Sequence, residues 1–144
     1  MPAALLPTPP APRCQRERLI RFSDCDPAGI VFFPQYFVMF NALVEDWLTE
    51  DLGIDYHDLI GRRRIGLPTV HLETDFRDVS RMGDHVRLAL QLARLGNRSF
   101  TLELICTGGA GEVRVAARQV LVTTSLQTHR AIAIPDDLRQ ALAP

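Results

Sequence analysis

One stretch of the sequence, residues 34–52, predicts a helix that the rest of the chain must enclose. Pro34 suits the first helical position, no other Pro or Gly interrupts the stretch, and Gly53 follows its last residue. The first half is apolar on nearly every side, from Tyr36 to Phe40, whereas the second half is amphipathic. A helix that is apolar all round has to be buried. The remaining elements must therefore surround a helix of about five turns.

The sequence after this helix supplies strands. Four segments alternate between apolar and polar residues or are rich in β-branched residues, and glycines separate them. These segments are residues 69–76, 84–95, 99–107 and 112–125, which we interpret as an antiparallel meander. Residues 15–22 predict one more strand, and residues 134–142 predict a short closing helix. The pattern indicates an α+β fold, with a five-stranded antiparallel sheet wrapped round one long central helix.

Length and charge predict a single globular domain without a polyanionic partner. The 144 residues carry a net charge of −1, with no basic block that would attract nucleic acid or an anionic membrane. No apolar run reaches the roughly 18 residues that span a bilayer. Residues 1–14 are rich in proline and lack the early positive charge of a signal peptide. We interpret them as a flexible N-terminal tail, followed by one domain at residues 15–144.

The cysteines favour a reducing compartment. Cys14, Cys25 and Cys106 form no CxxC pair and no spaced cluster with histidine. Neither a zinc site nor a disulfide framework is indicated. We therefore expect a cytoplasmic protein.

Asp26 is the residue that best fits acyl-transfer chemistry. It precedes Pro27, and a residue before proline is restricted to extended conformations, so its carboxylate is held in place. The loop leads into the buried helix, where Phe32 and Phe33 stand in place of a capping side chain. Helix amides without a cap are free for a ligand and can stabilise an oxyanion while a carboxylate attacks or activates water. By itself, an Asp before Pro is more often a turn residue.

The whole segment around Asp26 is far more specific. Residues 22–36, FSDCDPAGIVFFPQY, closely resemble the signature of the 4-hydroxybenzoyl-CoA thioesterase family of hotdog-fold acyl-CoA thioesterases, D-x-D-P-A-G-I-V-aromatic-aromatic-P-x-Y. The resemblance implies a hotdog fold and hydrolysis of an acyl-CoA to free acid and CoA, with no metal or redox cofactor. It places the catalytic carboxylate on Asp26 and the amide that polarises the thioester carbonyl on Phe33. We also assign Tyr36, which ends the signature, to substrate binding.

The same resemblance implies three more substrate-binding residues. Asn41 occupies the position of an Asp that contacts the aromatic acyl group in the family, and an amide can still hydrogen-bond a hydroxyl or a carbonyl. The family docks the CoA phosphates on a basic run before Ser-Phe, where this chain has Arg98 and then Ser99. The expected substrate is an aromatic, hydroxybenzoyl-like, or short acyl-CoA.

Several alternatives stay open. The substrate could instead be a short aliphatic acyl-CoA or an acyl-carrier protein, and a non-catalytic acyl-CoA binding module is a further possibility. Asp26 could act as nucleophile or as general base. We interpret Asp24 as a turn residue. Another branch of hotdog thioesterases carries its carboxylate on the long helix, but Glu45 and Asp46 lie in its amphipathic half and are interpreted as solvated.

A single sheet wrapped round a helix leaves an open edge, and family members close it by pairing two protomers. The resemblance therefore predicts at least a homodimer, and a homotetramer of two such dimers. Active sites would then lie between subunits.

Overall fold

The frame of the molecule is a five-stranded antiparallel sheet. The computed structural model describes residues 11–144 of the protein. The sheet contains β1 (Cys14–Leu19), β3 (Thr69–Phe76), β4 (His85–Leu95), β5 (Ser99–Thr107) and β6 (Val113–Val122), in the spatial order β1-β4-β5-β6-β3. Two short strands, β2 (Ile65–Gly66) and β7 (Thr124–Ser125), pair with each other. The predicted α+β fold with a five-stranded antiparallel sheet is confirmed.

The predicted meander is wrong at its first strand. β4, β5 and β6 follow one another across the sheet, but β3 pairs with β6 and not with β4. The reason is that β1 already occupies the other edge of β4, from Cys14 opposite Leu90 to Leu19 opposite His85. β3 therefore becomes the far edge strand, and residues 77–84 carry the chain back across the sheet to β4.

The long helix forms where the sequence predicts it. α1 (Gln35–Asp46) continues without a break into one π-helical turn, Trp47–Asp51. Two shorter helices are α2 (Tyr56–Gly61) and α3 (Asp136–Leu142). The sheet covers one face of α1, which buries Tyr36, Met39, Phe40, Leu43 and Val44. This spacing of three and four residues is that of a single helical face.

One chain does not enclose α1 completely, which corrects the expectation drawn from its composition. Val38 is 56% exposed, because it lies on the face that points away from the sheet, and Phe37 is half-buried at the border of the covered face. The apolar first half of α1 is therefore only partly covered within one protomer.

The N-terminal boundary differs slightly from the expectation. Residues 1–10 of the predicted tail lie outside the described residues. Cys14, at the end of that tail, is buried and is the first residue of β1. The Arg13 N–H donates to Leu90 O at 2.9 Å, and its guanidinium donates to Leu142 O at 2.9 Å. The ordered sheet thus begins at Cys14. Within residues 11–144, no helix has the length and hydrophobicity to cross a membrane.

Truncating a fully buried aromatic side chain should be costly. Phe100 has no exposed surface, whereas Phe22 is 82% exposed. We expect Phe100→Ala to lower the free energy of unfolding by about 3–5 kcal/mol, because it creates a cavity in the core. The same change at Phe22 should cost less than about 0.5 kcal/mol. Urea unfolding of both variants measures this, and equal losses would contradict the assignment of the core.

Candidate active site

The loop between β1 and α1 is held as a small hairpin by its own main chain. The Asp26 N–H donates to Ile30 O at 3.1 Å, and the Phe32 N–H donates to Asp24 O at 2.9 Å. At the tip, the Gly29 N–H donates to Asp26 O at 2.9 Å, and Gly29 has a φ of 82°. Glycine suits this position because other residues rarely adopt positive φ. The loop thus presents Asp26 in a defined position.

Asp26 has one oxygen in the turn and one oxygen free. Its Oδ1 accepts a hydrogen bond from the Ala28 N–H at 2.8 Å. The other oxygen, Oδ2, forms no hydrogen bond or ion pair within residues 11–144. The residue is half-exposed. One oxygen of this carboxylate therefore stabilises the turn, and the other is available for reaction.

The neighbouring acid, Asp24, is structural. Its side chain is buried, Oδ1 accepts from Arg18 Nη2 at 3.0 Å, and Oδ2 accepts from the Arg21 N–H at 2.9 Å. Both oxygens are thus occupied, and the charge is paired with Arg18. Asp24 fixes the entrance of the loop to β1.

Cys25, between the two acids, is a poor nucleophile. Burial raises the pKa of its thiol, and the negative charges of Asp24 and Asp26 raise it further. The thiol form therefore prevails at neutral pH, and only a thiolate attacks efficiently.

Phe33 carries the free amide at the start of α1. The helix has no side-chain cap, as the sequence indicates. The amides of Gln35 and Tyr36 are nevertheless used, because they donate to Phe32 O at 2.8 Å and Phe33 O at 3.2 Å. Within the described part of the chain, the Phe33 N–H forms no hydrogen bond. Of the amides that the sequence predicted to be free at the helix start, the Phe33 N–H is therefore the one that remains without a partner among residues 11–144.

Aromatic rings form a wall beside these groups. The Phe76 ring, at the end of β3, lies with its centroid 6.0 Å from that of Phe33 and 6.3 Å from that of Phe37. The Phe33 and Phe76 rings are exposed. Rings at such separations make favourable edge contacts and offer an apolar surface to a ligand. The contribution of Phe76 to this wall was not predicted, since nothing in the sequence pairs Phe76 with the helix start.

Tyr36 lies beneath the wall. Its side chain is only 4% exposed, its ring centroid is 6.2 Å from that of Phe76, and burial raises the pKa of its phenol. Tyr36 is thus a core residue within one chain, and its assignment to substrate binding stays a prediction.

Asn41 faces a polar cavity of about 440 Å³ between α1, α2 and the β3–β6 edge. Its lining includes five polar residues, Asn41, Glu45, Tyr56, Thr69 and Gln119. Gln119 is only 5% exposed, and its Nε2 donates to Thr69 Oγ1 at 2.7 Å. Its Oε1 is buried without a hydrogen-bond partner in the described chain. The lining therefore includes a buried polar side chain that is only partly satisfied within residues 11–144.

Gln119 was missed in the sequence, although a signal exists. It occupies a position where β6 otherwise turns apolar side chains inward, namely Val115, Ala117 and Leu121. A buried polar side chain in such a series needs a partner or a function. Glu45, interpreted as solvated, also lines this cavity.

A larger groove, of about 590 Å³, lies on the opposite face of the sheet. It is lined by Pro12 and by sheet residues that include Ala89, Ile105 and Ala116. No residue of the Asp26 loop or of α1 contributes to it. Size alone would therefore select a groove that is remote from the candidate chemistry.

Arg98 and Ser99 are not near Asp26 within one chain. They lie at the β4–β5 turn, where β5 begins, whereas the loop packs near Phe76 at the other end of the sheet. Nine residues of β5 separate the two ends, which corresponds to roughly 25–30 Å. One protomer thus carries Asp26 and Phe33 on one loop but leaves the proposed phosphate ligands at a distance.

No group of three or more His, Cys, Asp or Glu side chains within residues 11–144 is arranged to hold a metal ion.

Comparisons with known proteins identify the family. Residues 20–142 match the family model described as the thioesterase-like superfamily. The 1,4-dihydroxy-2-naphthoyl-CoA hydrolase of Synechococcus elongatus is 29% identical over 129 residues, which are 89% of this chain and 93% of that protein. The enzyme of the same name from Prochlorococcus marinus (strain MIT 9313) is 30% identical over 132 residues, covering 84% of this chain and 83% of that protein.

The fold comparison agrees. The solved structure of a gentisyl-coenzyme A thioesterase superposes with a TM-score of 0.81 and 29% identity, covering 90% of this chain and 99% of that one. The sheet wrapped round α1 is thus the hotdog fold, as the motif implied. Since the family model spans nearly the whole described chain, the protein belongs to the thioesterase-like superfamily, and it is a hotdog thioester hydrolase of the 4-hydroxybenzoyl-CoA thioesterase type.

Proposed function

We propose that the protein hydrolyses a hydroxylated aromatic acyl-CoA to the free acid and CoA. The observation that carries this proposal is the free Oδ2 of Asp26 on the same small hairpin as the unpaired Phe33 N–H. The named relatives support the aromatic class, because they act on 1,4-dihydroxy-2-naphthoyl-CoA and gentisyl-coenzyme A. The exposed rings of Phe33 and Phe76 supply a surface on which an aromatic acyl group can pack.

In the proposed reaction, the thioester carbonyl oxygen accepts a hydrogen bond from the Phe33 N–H. Negative charge develops on that oxygen as the carbonyl carbon is attacked, and the amide stabilises it. As a nucleophile, Asp26 forms a mixed anhydride and expels the CoA thiolate, and water then cleaves the anhydride. As a general base, Asp26 takes a proton from the water that attacks. Both routes use the free Oδ2 and leave the hydrogen bond between the Ala28 N–H and Oδ1 in place.

We propose that the working unit is at least a homodimer that is joined through β3. This edge strand is exposed along nearly its whole length and presents Val70 and Leu72 to solvent. A long exposed edge presents unpaired main-chain groups and is a template for pairing with another strand. Two β3 strands that pair antiparallel about a two-fold axis would make one continuous sheet of ten strands. A homotetramer of two such dimers is the further expectation from the family.

Antiparallel pairing also explains where the remaining site residues lie. α1 runs opposite to β3, since Phe37 contacts the Phe76 end of the strand and Asn41 shares a cavity with Thr69 at its start. A two-fold axis would bring the Phe76 end of one strand beside the Thr69 end of the other. We therefore propose that Asp26 and Phe33 of one protomer act with the partner subunit's Asn41, the partner subunit's Arg98 and the partner subunit's Ser99.

In this arrangement the far end of the acyl group would enter the cavity that is lined by the partner subunit's Asn41. The amide of the partner subunit's Asn41, which lines that cavity, suits a ring hydroxyl. Arg98 is exposed at its turn and suits a CoA phosphate. The proposed chemistry requires no metal or redox cofactor.

We also propose a cytoplasmic location and a single domain over residues 15–144, extended by Cys14 at the start of β1. All three cysteines are free thiols, which suits a reducing compartment.

Replacing Asp26 by Asn should abolish catalysis without disturbing the loop. The amide oxygen can still accept the Ala28 N–H, but it neither attacks nor takes a proton. We expect turnover to fall at least about a hundredfold. Asp55→Asn is the matched control, because Asp55 accepts the amides of His57 and Asp58 in a similar cap on α2. Free-thiol release measures both variants, and near-normal turnover of Asp26→Asn would refute the assignment.

A panel of thioesters tests the substrate class. We expect hydroxylated aromatic acyl-CoAs to give a higher kcat/KM than benzoyl, phenylacetyl or short aliphatic acyl-CoAs, because a ring hydroxyl can hydrogen-bond the Asn41 amide in the proposed shared site. The preference should be about twofold to tenfold, as one hydrogen bond contributes about 0.5–1.5 kcal/mol. A faster reaction with short aliphatic groups would overturn the aromatic assignment.

Subunit mixing tests whether the site is shared. We expect Asp26→Asn and Arg98→Ala each to be impaired alone. A mixed dimer would contain one site with Asp26 from one chain and Arg98 from the other, so co-refolding should restore about a quarter of the sites. If both residues acted within one chain, the mixture would show only the average of the two parents.

A further inference from the structure

The connection between β3 and β4, residues 77–84, packs against the Asp26 loop. The Val31 N–H donates to Ser80 O at 2.9 Å, and Ile30 forms a β-bridge with Arg81. Ser80 is fully buried. The arm of the hairpin that leads to Phe33 thus rests on this connection, so the position of the connection sets the position of the loop.

Arg114 holds both ends of the connection. At its start, Arg114 O accepts the N–H groups of Arg77 and Asp78 at 2.8 and 3.2 Å. At its end, Arg114 Nη1 donates to Asp84 Oδ2 at 2.6 Å, and the same oxygen accepts the Arg81 N–H at 2.9 Å. One residue of β6 therefore clamps a segment of eight residues through its main chain and its side chain.

A β-bulge directs the Arg114 side chain to this position. On β5, Cys106 pairs with Val115 and the next residue, Thr107, pairs with Val113, so Arg114 is the extra residue of β6. A bulge re-aims the side chain of the extra residue. The Arg114 side chain is consequently only 13% exposed, although it lies near the end of the strand.

The contacts of Arg114 with residues 77–84 form what we call the Arg114 clamp, and Glu112 and Gly108 complete it. Arg114 Nη2 donates to Glu112 Oε1 at 2.9 Å. Gly108 lies directly under this pair, because a Cβ there would be 2.6 Å from Arg114 Nε and would clash with the Glu112 carboxylate. The Arg114 guanidinium holds the pKa of Glu112 below its usual range, and the Arg81 N–H together with Arg114 does the same for the pKa of Asp84. Both carboxylates stay ionised at neutral pH.

We propose that Arg114 is a positioning residue for the reaction, which fixes the Asp26 loop through the connection at residues 77–84. Its guanidinium orients Asp84, Asp84 orients Arg81, and the main chain of Ser80 and Arg81 aligns Ile30 and Val31. Arg114 itself contacts neither Asp26 nor Phe33 in this scheme. The inference rests on the proposed catalytic role of Asp26.

Arg114→Met tests the proposal, because it removes both ion pairs and leaves the Arg114 carbonyl bonds in place. We expect kcat to fall about tenfold to a hundredfold, since small displacements of a reacting group have effects of that size. KM should stay within about threefold, because no contact with the substrate is lost. Arg114→Lys keeps a cation near Asp84 and should recover part of the loss. Wild-type kcat in Arg114→Met would overturn the proposal, whatever the change in stability.

Arg63→Met is the matched control. Arg63 forms a bidentate ion pair with Asp137, with N–O distances of 2.7 and 2.9 Å, at the end of the sheet opposite to the Asp26 loop of the same chain. Its loss should lower the thermal midpoint and leave kcat unchanged. An equal fall of kcat in this control would show a general effect of destabilisation and would overturn the proposal.

Hydrogen exchange separates this inference from the proposed function. We expect the amides of Val31 and Phe32 to exchange faster in Arg114→Met than in the wild type, and at the wild-type rate in Arg63→Met. If the wild type hydrolyses no thioester, the proposed function fails, whereas exchange still reports on the clamp. Unchanged exchange in an otherwise impaired Arg114→Met would overturn the clamp. Should that variant fail to fold, Asp84→Asn breaks the same ion pair while keeping an acceptor for the Arg81 N–H, and the same outcomes apply.

Discussion

The burial of one face of α1 against the sheet is the contact on which the rest of this structure depends. Met39, Phe40 and Leu43 are almost completely buried on that face, and β4, β5 and β6 contribute the inward side chains that meet them. Burying large apolar side chains contributes about 1.5–3 kcal/mol each, which is more than any surface ion pair of this protein can supply. The packed helix then fixes the direction in which its N terminus points, and with it the Phe33 amide.

Much of this could be predicted from the sequence, because local patterns determine most elements. The bounds of β3 and β5 follow from alternation, and α1 follows from its Pro and Gly boundaries. The strand order could not be predicted in the same way, since the pairing of β3 with β6 depends on which edge β1 has already occupied. Likewise, the motif indicates Asp26 and Phe33, but the burial of Tyr36 and the position of Gln119 depend on packing between elements that are distant in sequence.

The candidate site illustrates why a motif and a cavity are separate sources of information. The larger of the two cavities lies on the outer face of the sheet, whereas the Asp26 loop carries a carboxylate oxygen and an amide that have no partner among residues 11–144. Reactive geometry, and not volume, therefore distinguishes the site. The smaller cavity near Asn41 is of interest because its lining residue Gln119 has a buried acceptor without a partner among residues 11–144, and folded proteins seldom retain such a group without a use.

The exposed edge of β3 has a consequence for how activity depends on the amount of protein. In the proposed dimer, a complete site exists only when two chains are associated, so the fraction of competent sites obeys mass action. Specific activity would then decline on dilution below the dissociation constant of the dimer, without any unfolding of the protomers. The concentration of the protein would thereby determine both the amount of enzyme and the fraction of it that is dimeric.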